Sequence, residues 1–524
     1  MSEDIHHECG VAALYWLQEP VKSANGKPKA PSNVAKLMPG MLLDLQNRGQ
    51  LAAGMSSYNP ERPQILHTYK DIGTVAEAFR MSHPGKHKSI LSEYAGHAAI
   101  GHTRYATSGE GSDDDIRYAQ PFEREHGRLW KWFSLAFNGN LANYSDLRDR
   151  LLSKRGYHFT LNIDTEIIMH TLAYRLRGEN PPGLAKVMAS LSRSFDGAFN
   201  IAFLDATGRM FIARDPLGFH PMSWGVKGRL FAAANESVAL SNLGITDIHT
   251  LEPGEMAIVE DGKLTIERFA PSKKKSRCFF EWVYFSNVAS EIDGIGVYQA
   301  RAAAGHKLAE VEDQEIDDNC IVVPVPDTAK AAADAFAHRM KIPCMEGIIR
   351  NRYVGRTFIQ PEHLRGQSAK SKYTSLPSVL EGKRVFLVED SIVRSTTLRT
   401  LARQLRDHTG VDEIHVRVAC PPVVGPCFYG IDMTTLGELF APPFIPPRYN
   451  GRLDAETLKK MTRALKIDSL RYLPVQDLST SVGCEPDTLC LGCVTGKYPS
   501  RSGNRLIRQA RNNVKKGVSG RTYA

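Results

Sequence analysis

Two rhythms of apolar and polar residues divide the chain. From about Cys9 to Phe269, short apolar runs such as FNIAFLDATG, MFIARDPLG and MAIVEDGKLTIERF are broken by Gly, Pro, Asn and Asp turns, which predicts several antiparallel strands. Within that half, Ile167, His170, Thr171 and Tyr174 recur at helical spacing behind the capping candidates Asp164 and Thr165, so a helix is predicted over 163–176. Residues 9–269 thus read as one mixed α and β domain, and the polar APSKKKSR that follows (270–277) reads as a linker or a solvated loop.

The second rhythm is strand, loop, helix, repeated. Residues 321–326 are continuously apolar and lead through Asp327 into an alanine-rich helix reaching Met340. Residues 385–388 are apolar again, 389–397 form a polar loop, and Leu398, Leu401 and Leu405 make a helical stripe ending near Gly410 before the strand marked by Ile414, Val416 and Val418. This alternation predicts a parallel sheet, which binds ligands at the carboxyl ends of its strands and so marks Asp327 and 389–397 as a site. Proline-rich APPFIPPRYNGR closes this domain (278–450), and a segment from 451 to 524 follows with one amphipathic helix bearing Leu458, Met461 and Leu465. No internal repeat is visible.

Composition narrows the class. The 524 residues, 42% hydrophobic and 23% charged, exceed what one core supports and match two globular domains. The net charge of +9 is diffuse apart from a basic tail over 501–521, where no aromatic residues interleave, which argues against nucleic acid. Nine cysteines, an odd number with no secretory signal, indicate a reducing compartment. MSEDIHHE is acidic where a signal peptide is basic, and no apolar stretch approaches the roughly 18 residues of a membrane span. The expectation is a soluble, cytoplasmic protein without nucleic-acid or membrane partners.

Two places carry chemistry. Glu389 and Asp390 end a buried strand and precede SIVRSTT, whose amides and hydroxyls can nest an anion; the arrangement suits a metal-bridged phosphorylated ligand or a capped strand-to-helix turn. Cys9, followed by Gly10, would carry its own free α-amine as a base if residues 1–8 were removed as a propeptide, although a lone cysteine near a terminus is often a bystander. Arg104 and Asp164, taken singly, are equally readable as surface ion-pair partners.

The strings around these residues resemble known families. VFLVEDSIVRSTT is similar to the phosphoribosyl pyrophosphate signature of type I phosphoribosyltransferases. Cys9-Gly10, LQNRGQLAAGM, IGHTRYATSG, LAFNGNLAN and Asp164-Thr165-Glu166 occur in the order seen in the N-terminal-nucleophile, or class II, glutamine amidotransferases. Together the halves resemble the amidophosphoribosyltransferase family, in its iron-sulfur-containing subgroup. That resemblance implies an αββα glutaminase domain joined to an α/β domain with a parallel sheet, and the making of 5-phosphoribosylamine from glutamine and phosphoribosyl pyrophosphate at the start of purine synthesis. It further implies Cys9 as nucleophile, Asn138 and Gly139 as oxyanion hole, and glutamine held by Arg104, Thr107 and Asp164. Phosphoribosyl pyrophosphate would be bound by Asp327, Arg352, Lys372, Ser391, Arg394, Ser395, Thr396 and Thr397, with Mg²⁺ near Thr328, Glu389 and Asp390.

Cys278, Cys427, Cys490 and Cys493 match the subgroup that holds a four-iron four-sulfur cluster, although the CxxC pair alone would also suit zinc or a redox couple. A homo-oligomer, dimer or tetramer, inhibited by purine nucleotides is implied as well. Four residues depart from the family pattern: Leu51 for an acid, His220 and Asn287 for arginines, and Ser395 for a glycine. If the loop at Ser395 is left-handed, serine there costs roughly 1 kcal/mol. The alternatives are another class II amidotransferase, disfavoured by the acceptor half, and a non-catalytic or regulatory paralogue, which the departures would permit.

Overall fold

The computed structural model describes residues 9–17, 33–105, 115–161, 163–351, 373–431, 433, 435–446 and 449–518. The expected propeptide, Thr107, Arg352 and Lys372 lie outside them. Among the described residues no helix is long and apolar enough to cross a membrane.

Two antiparallel sheets form the first half. One has seven strands in the order Ile248–Thr250, Ser223–Lys227, Leu230–Ala234, Gly10–Trp16, Ala98–Arg104, Ala52–Tyr58, Leu66–Ile72. The other has six, Lys263–Arg268, Glu255–Glu260, Met210–Arg214, Gly197–Asp205, Phe133–Leu141, Phe122–Arg124. Alternation along Gly10–Trp16 explains the layering. Val11, Ala13 and Tyr15 point between the sheets with Ala136, Ala202 and Ala233, while Ala12 and Leu14 point to the helix Met38–Asp44 and its Met38, Met41 and Leu42. Small residues on the facing surfaces let the two sheets approach closely. The outer face of the second sheet buries Phe137, Phe199 and Phe203 against Ile167, Ile168 and Leu172 of Asp164–Arg175, the helix expected there, and against Leu184–Ser192. The result is helix, sheet, sheet, helix.

The second half holds a four-stranded parallel sheet, Cys320–Pro324, Arg384–Glu389, Glu413–Val418 and Ser469–Tyr472. Its apolar runs are buried on both faces, with Ala332, Ala333 and Phe336 of Lys330–Met340 and Leu398, Leu401 and Leu405 of Thr396–Thr409 packed against them. The segment after residue 450, expected to be helical, also supplies the fourth strand. Besides Ala455–Leu465 it carries the helices Val475–Val482 and Arg501–Lys515. The stretch expected as a linker is irregular from 271 to 276, yet Ser276 is fully buried and Arg277–Cys278 pairs in parallel with Leu489–Cys490. It is therefore a packed strut.

Charged side chains knit the halves together. Arg48 is fully buried and reaches Glu236 at 2.8 Å and Glu281 at 2.6 Å, while Ser286 donates to Glu281 at 2.6 Å. Burial pushes the Glu281 carboxyl up, and Arg48 with His220 more than reverses that, holding it well below the usual range. His220 sets one ring nitrogen 3.1 Å from Glu281 and the other 2.8 Å from the Tyr429 carbonyl. Both neighbours carry acceptor oxygens, so each ring nitrogen of His220 faces an acceptor. Asn287 presents its backbone N–H to Glu236 at 3.3 Å.

Replacing Arg48 with methionine keeps most of the volume but strands two buried carboxylates. We expect Arg48→Met to lower unfolding free energy by about 3–5 kcal/mol, measured by denaturant titration. A loss under about 1 kcal/mol would show that the network contributes no more than a surface pair.

Candidate active sites at two ends of a shared junction

Cys9 stands just before the central strand of the first sheet and is buried. Its thiol donates to the Tyr105 carbonyl and accepts the Tyr105 N–H, both at 3.4 Å. The backbone beyond it is pinned by Thr103, which accepts from Gly10 at 3.2 Å, and by Asn235, which accepts from Val11 at 2.7 Å. Asn138, on the facing sheet, donates from Nδ2 to the Cys9 carbonyl at 2.6 Å, and Asn200 donates to its Oδ1 at 3.5 Å, which fixes the amide with its N–H groups toward Cys9. Gly139 has φ +135°, and a Cβ there would sit 2.2 Å from the Ala198 carbonyl oxygen, so glycine is required.

Asp164 opens the helix Asp164–Arg175 and is 3% exposed. It accepts from Thr165 N–H at 2.9 Å, but its Oδ2 has no hydrogen-bond partner among the described residues. Burial drives its pKa up to about 7, against the pull of the Thr165 and Leu141 backbone. A carboxylate left half-satisfied in a dry pocket is suited to a ligand cation. Arg104 ends its strand with the guanidinium 5.2 Å over the Tyr118 ring and is 6% exposed.

Sequence reasoning missed the residues that hold these groups in register. Buried Gln120 accepts from Phe137 N–H at 2.8 Å and donates to the Thr165 hydroxyl at 3.2 Å, joining the neighbour of Asn138 to the neighbour of Asp164. His102 meets the Phe137 carbonyl at 3.1 Å, and burial lowers its pKa to about 3, so the ring is neutral and donates. Both lie past the end of the short strand Phe122–Arg124, where side chains replace a missing neighbour strand along Phe133–Leu141. No periodicity encodes such a substitution.

At the second site, Asp390 follows the strand Arg384–Glu389 at its carboxyl end and is buried. Thr328 donates to one carboxylate oxygen at 2.5 Å and Ser391 to the other at 2.7 Å. Asp327 meets Arg350 at 3.4 Å, Arg394 lies 3.7 Å from Glu438, and Thr396 and Thr397 open the next helix. Ser395 caps that helix at φ −88°, ψ −7°. The expected left-handed strain is therefore absent, because the residue already has helical backbone. Behind Asp390 a cavity of about 320 Å³ is lined by Thr328, Arg301, Ala332 and Leu478. Arg301 donates to the carbonyls of Trp282, Tyr284 and Ser286 at 2.8–3.1 Å, fastening the segment that carries Glu281.

Between the sites, Cys278, Cys427, Cys490 and Cys493 line one small cavity together with His220 and Tyr498. Burial, with the neighbouring thiols, raises Cys490 to about 12 and puts Cys493 well above the ordinary range. Among the described residues no three His, Cys, Asp or Glu side chains converge closely enough for a single metal ion. Four thiols facing one cavity are a donor set whose chemistry is compatible with an iron-sulfur cluster.

The buried Asp164 makes stability fall as pH rises from about 4 to 7, since the folded form holds a proton there that the unfolded chain has released. The displacement corresponds to roughly 4 kcal/mol. Asp164→Asn should raise the melting temperature modestly at pH 5 and several-fold more at pH 8. A variant no more stable than the parent at pH 8 would mean that the carboxylate is solvated.

Residues 102–242 match the glutamine amidotransferase domain family. Along its length the chain is 34% identical over 500 residues to the amidophosphoribosyltransferase of Methanothermobacter thermautotrophicus, covering 95% of each. To that of Bacillus subtilis it is 35% identical over 501 residues, again covering 95% of each. The solved B. subtilis glutamine phosphoribosylpyrophosphate amidotransferase, complexed with ADP and GMP, superposes with a TM-score of 0.78 at 34% identity, covering 94% of this chain and 98% of that one. Likeness of this extent, over 95% of the chain and of its relatives, makes the chain a member of the amidophosphoribosyltransferase family.

Proposed function

We propose that the two sites act in series, converting glutamine, phosphoribosyl pyrophosphate and water into 5-phosphoribosylamine, glutamate and pyrophosphate, the entry to purine nucleotide synthesis. The observation that carries this reading is the pairing of Cys9 with the fixed Asn138 amide and the half-satisfied Asp164 in one domain. In the other domain, a hydroxyl-ringed Asp390 stands at the end of a parallel sheet.

Removal of residues 1–8 would free the Cys9 α-amine, which takes the thiol proton as sulfur attacks the amide carbon. The oxyanion then gains Asn138 Nδ2–H and the Gly139 N–H, and ammonia leaves with the transferred proton as the thioester forms. Water cleaves the thioester to glutamate. Asp164 would hold the substrate ammonium and Arg104 its carboxylate, so glutamine binding draws Asp164 into its charged form. At the second site, ammonia's lone pair attacks the anomeric carbon as the bond to pyrophosphate breaks. Mg²⁺ at Glu389 and Asp390, with Thr328 steadying Asp390, would neutralise the departing pyrophosphate. Ser391, Ser395, Thr396 and Thr397 would cradle the 5′-phosphate. We further propose a four-iron four-sulfur cluster on Cys278, Cys427, Cys490 and Cys493, a homo-oligomer restrained by purine nucleotides, and a cytoplasmic location.

Cys9→Ala should reduce glutamine-driven turnover by on the order of 10³-fold or more while sparing ammonium-driven turnover. Asp390→Asn should reduce both by on the order of 10²-fold. Pyrophosphate release assayed with each nitrogen source checks both, and release with neither source from the parent chain would favour a regulatory paralogue. Protein purified without oxygen should be brown, with about four irons per chain by elemental analysis. Zinc in place of iron would refute the cluster.

A further inference from the structure

Away from both sites, the glutaminase domain bears a solvent-open cleft of about 220 Å³ lined by Arg124, His126, Lys131, Arg177, Tyr157 and Tyr174. Its cations come from three separate segments: the end of Phe122–Arg124, the turn through Leu129–Lys131, and the chain just past Asp164–Arg175. No carboxylate lines it. The acids flanking Arg124 along the chain are engaged elsewhere, Glu123 with the Thr68 hydroxyl and the Trp132 indole, and Glu125 with the Gln64 amide, while Glu179, two residues past Arg177, is exposed. Among the described residues Arg124, Lys131 and Arg177 form no ion pair.

These cations are held in place. The Arg177 guanidinium lies 3.8 Å over the Tyr174 ring. Arg128 lies 5.6 Å over Trp130 and donates to the Gly178 carbonyl at 2.8 Å, tying the turn to the end of the helix. Lys131 packs on the same indole at 5.9 Å. Slight burial, then the fields of Lys131, Arg124 and Arg128, keep His126 below the ordinary imidazole range. Positive charge is thus gathered by three segments, with Arg177 and Lys131 set over aromatic rings and no carboxylate among the lining residues, which suits an oxyanion. Both tyrosines are engaged, Tyr174 by Arg177 and Tyr157 by the His170 ring at 4.9 Å, so stacking of a nucleobase is disfavoured.

We propose that this cleft is an anion site separate from the two reaction sites, and that it takes a compact, multiply charged phosphate, with inorganic pyrophosphate as its simplest ligand. Guanidinium forks from opposite walls would grip two phosphoryl groups, and affinity would fall steeply with salt.

Isothermal titration of the full chain with pyrophosphate, in the absence of Mg²⁺ and at low salt, tests this. Asp390→Asn, which damages the acceptor site, should retain one binding event per chain. Adding Arg124→Ser and Lys131→Ser to that background should weaken the event at least tenfold with an unchanged melting temperature, and Arg177→Gln alone should weaken it less. Pyrophosphate binding that survives the double substitution, or that vanishes with Asp390→Asn alone, would overturn the proposal. A cleft that binds citrate as tightly as pyrophosphate would overturn its phosphate specificity.

Discussion

Arg48 sits in the protein with no exposure to water, and its guanidinium is the point at which the two halves meet. Desolvating such a charge costs several kcal/mol, so the halves must bring carboxylates to it from both sides. Glu236 comes from the glutaminase half and Glu281 from the start of the other. Gly49, next along the chain, packs so tightly that a Cβ would lie 2.6 Å from the Arg104 backbone. Arg48 therefore locates the strand end that carries Arg104. On the other side, Glu281 belongs to a segment whose carbonyls are fastened by Arg301, and Arg301 lines the cavity behind Asp390. Each reaction site is thus one or two contacts from the same buried ion cluster.

The cysteine cavity occupies the same junction. His220 lines it and bonds Glu281, and the Cys278 N–H donates to the Phe219 carbonyl at 2.9 Å. Asn140, two residues past Asn138, donates to the carbonyl of Phe428, the residue after Cys427, at 3.1 Å. Phe219 stacks on Tyr429 with ring centroids 4.2 Å apart. The strand that carries Asn138 is thus joined by one hydrogen bond to the segment that carries Cys427.

What could be read from sequence was what repeats or what matches a string. Short apolar runs broken by turns, as in FNIAFLDATG, and the repeat of strand, loop and helix around VFLV are local features, so the antiparallel and parallel sheets followed from them. The helix Asp164–Arg175 and the loop after Glu389 were placed for the same reason. The strand Ser469–Tyr472 was missed because a proline-rich stretch separates it from its sheet, and four residues carry too little periodicity to stand alone. Gln120 was missed because its two hydrogen bonds go to residues 17 and 45 positions away. His220 stands out in the sequence only as a departure from the family's arginine, because its partners, Glu281 and the Tyr429 carbonyl, are a property of the fold.

Asp164 shows why such a site must be strained when empty. Its carboxyl stands at a helix N-terminus, where amides and the helix dipole favour charge, yet burial outweighs them and lifts the pKa to about 7. A better-solvated carboxylate would stabilise the fold but would have little to gain from a ligand. Among the described residues Oδ2 has no hydrogen-bond partner, so under the proposed function a substrate ammonium there would return as binding energy part of the folding free energy withheld at Asp164. Gln120 connects Asp164 to Asn138, because it grips Thr165 and Phe137 at once. On that proposal, an ammonium at Asp164 and an oxyanion beside Cys9 would be recognised by one connected frame, and a ligand that lacks either group would be held by only part of it.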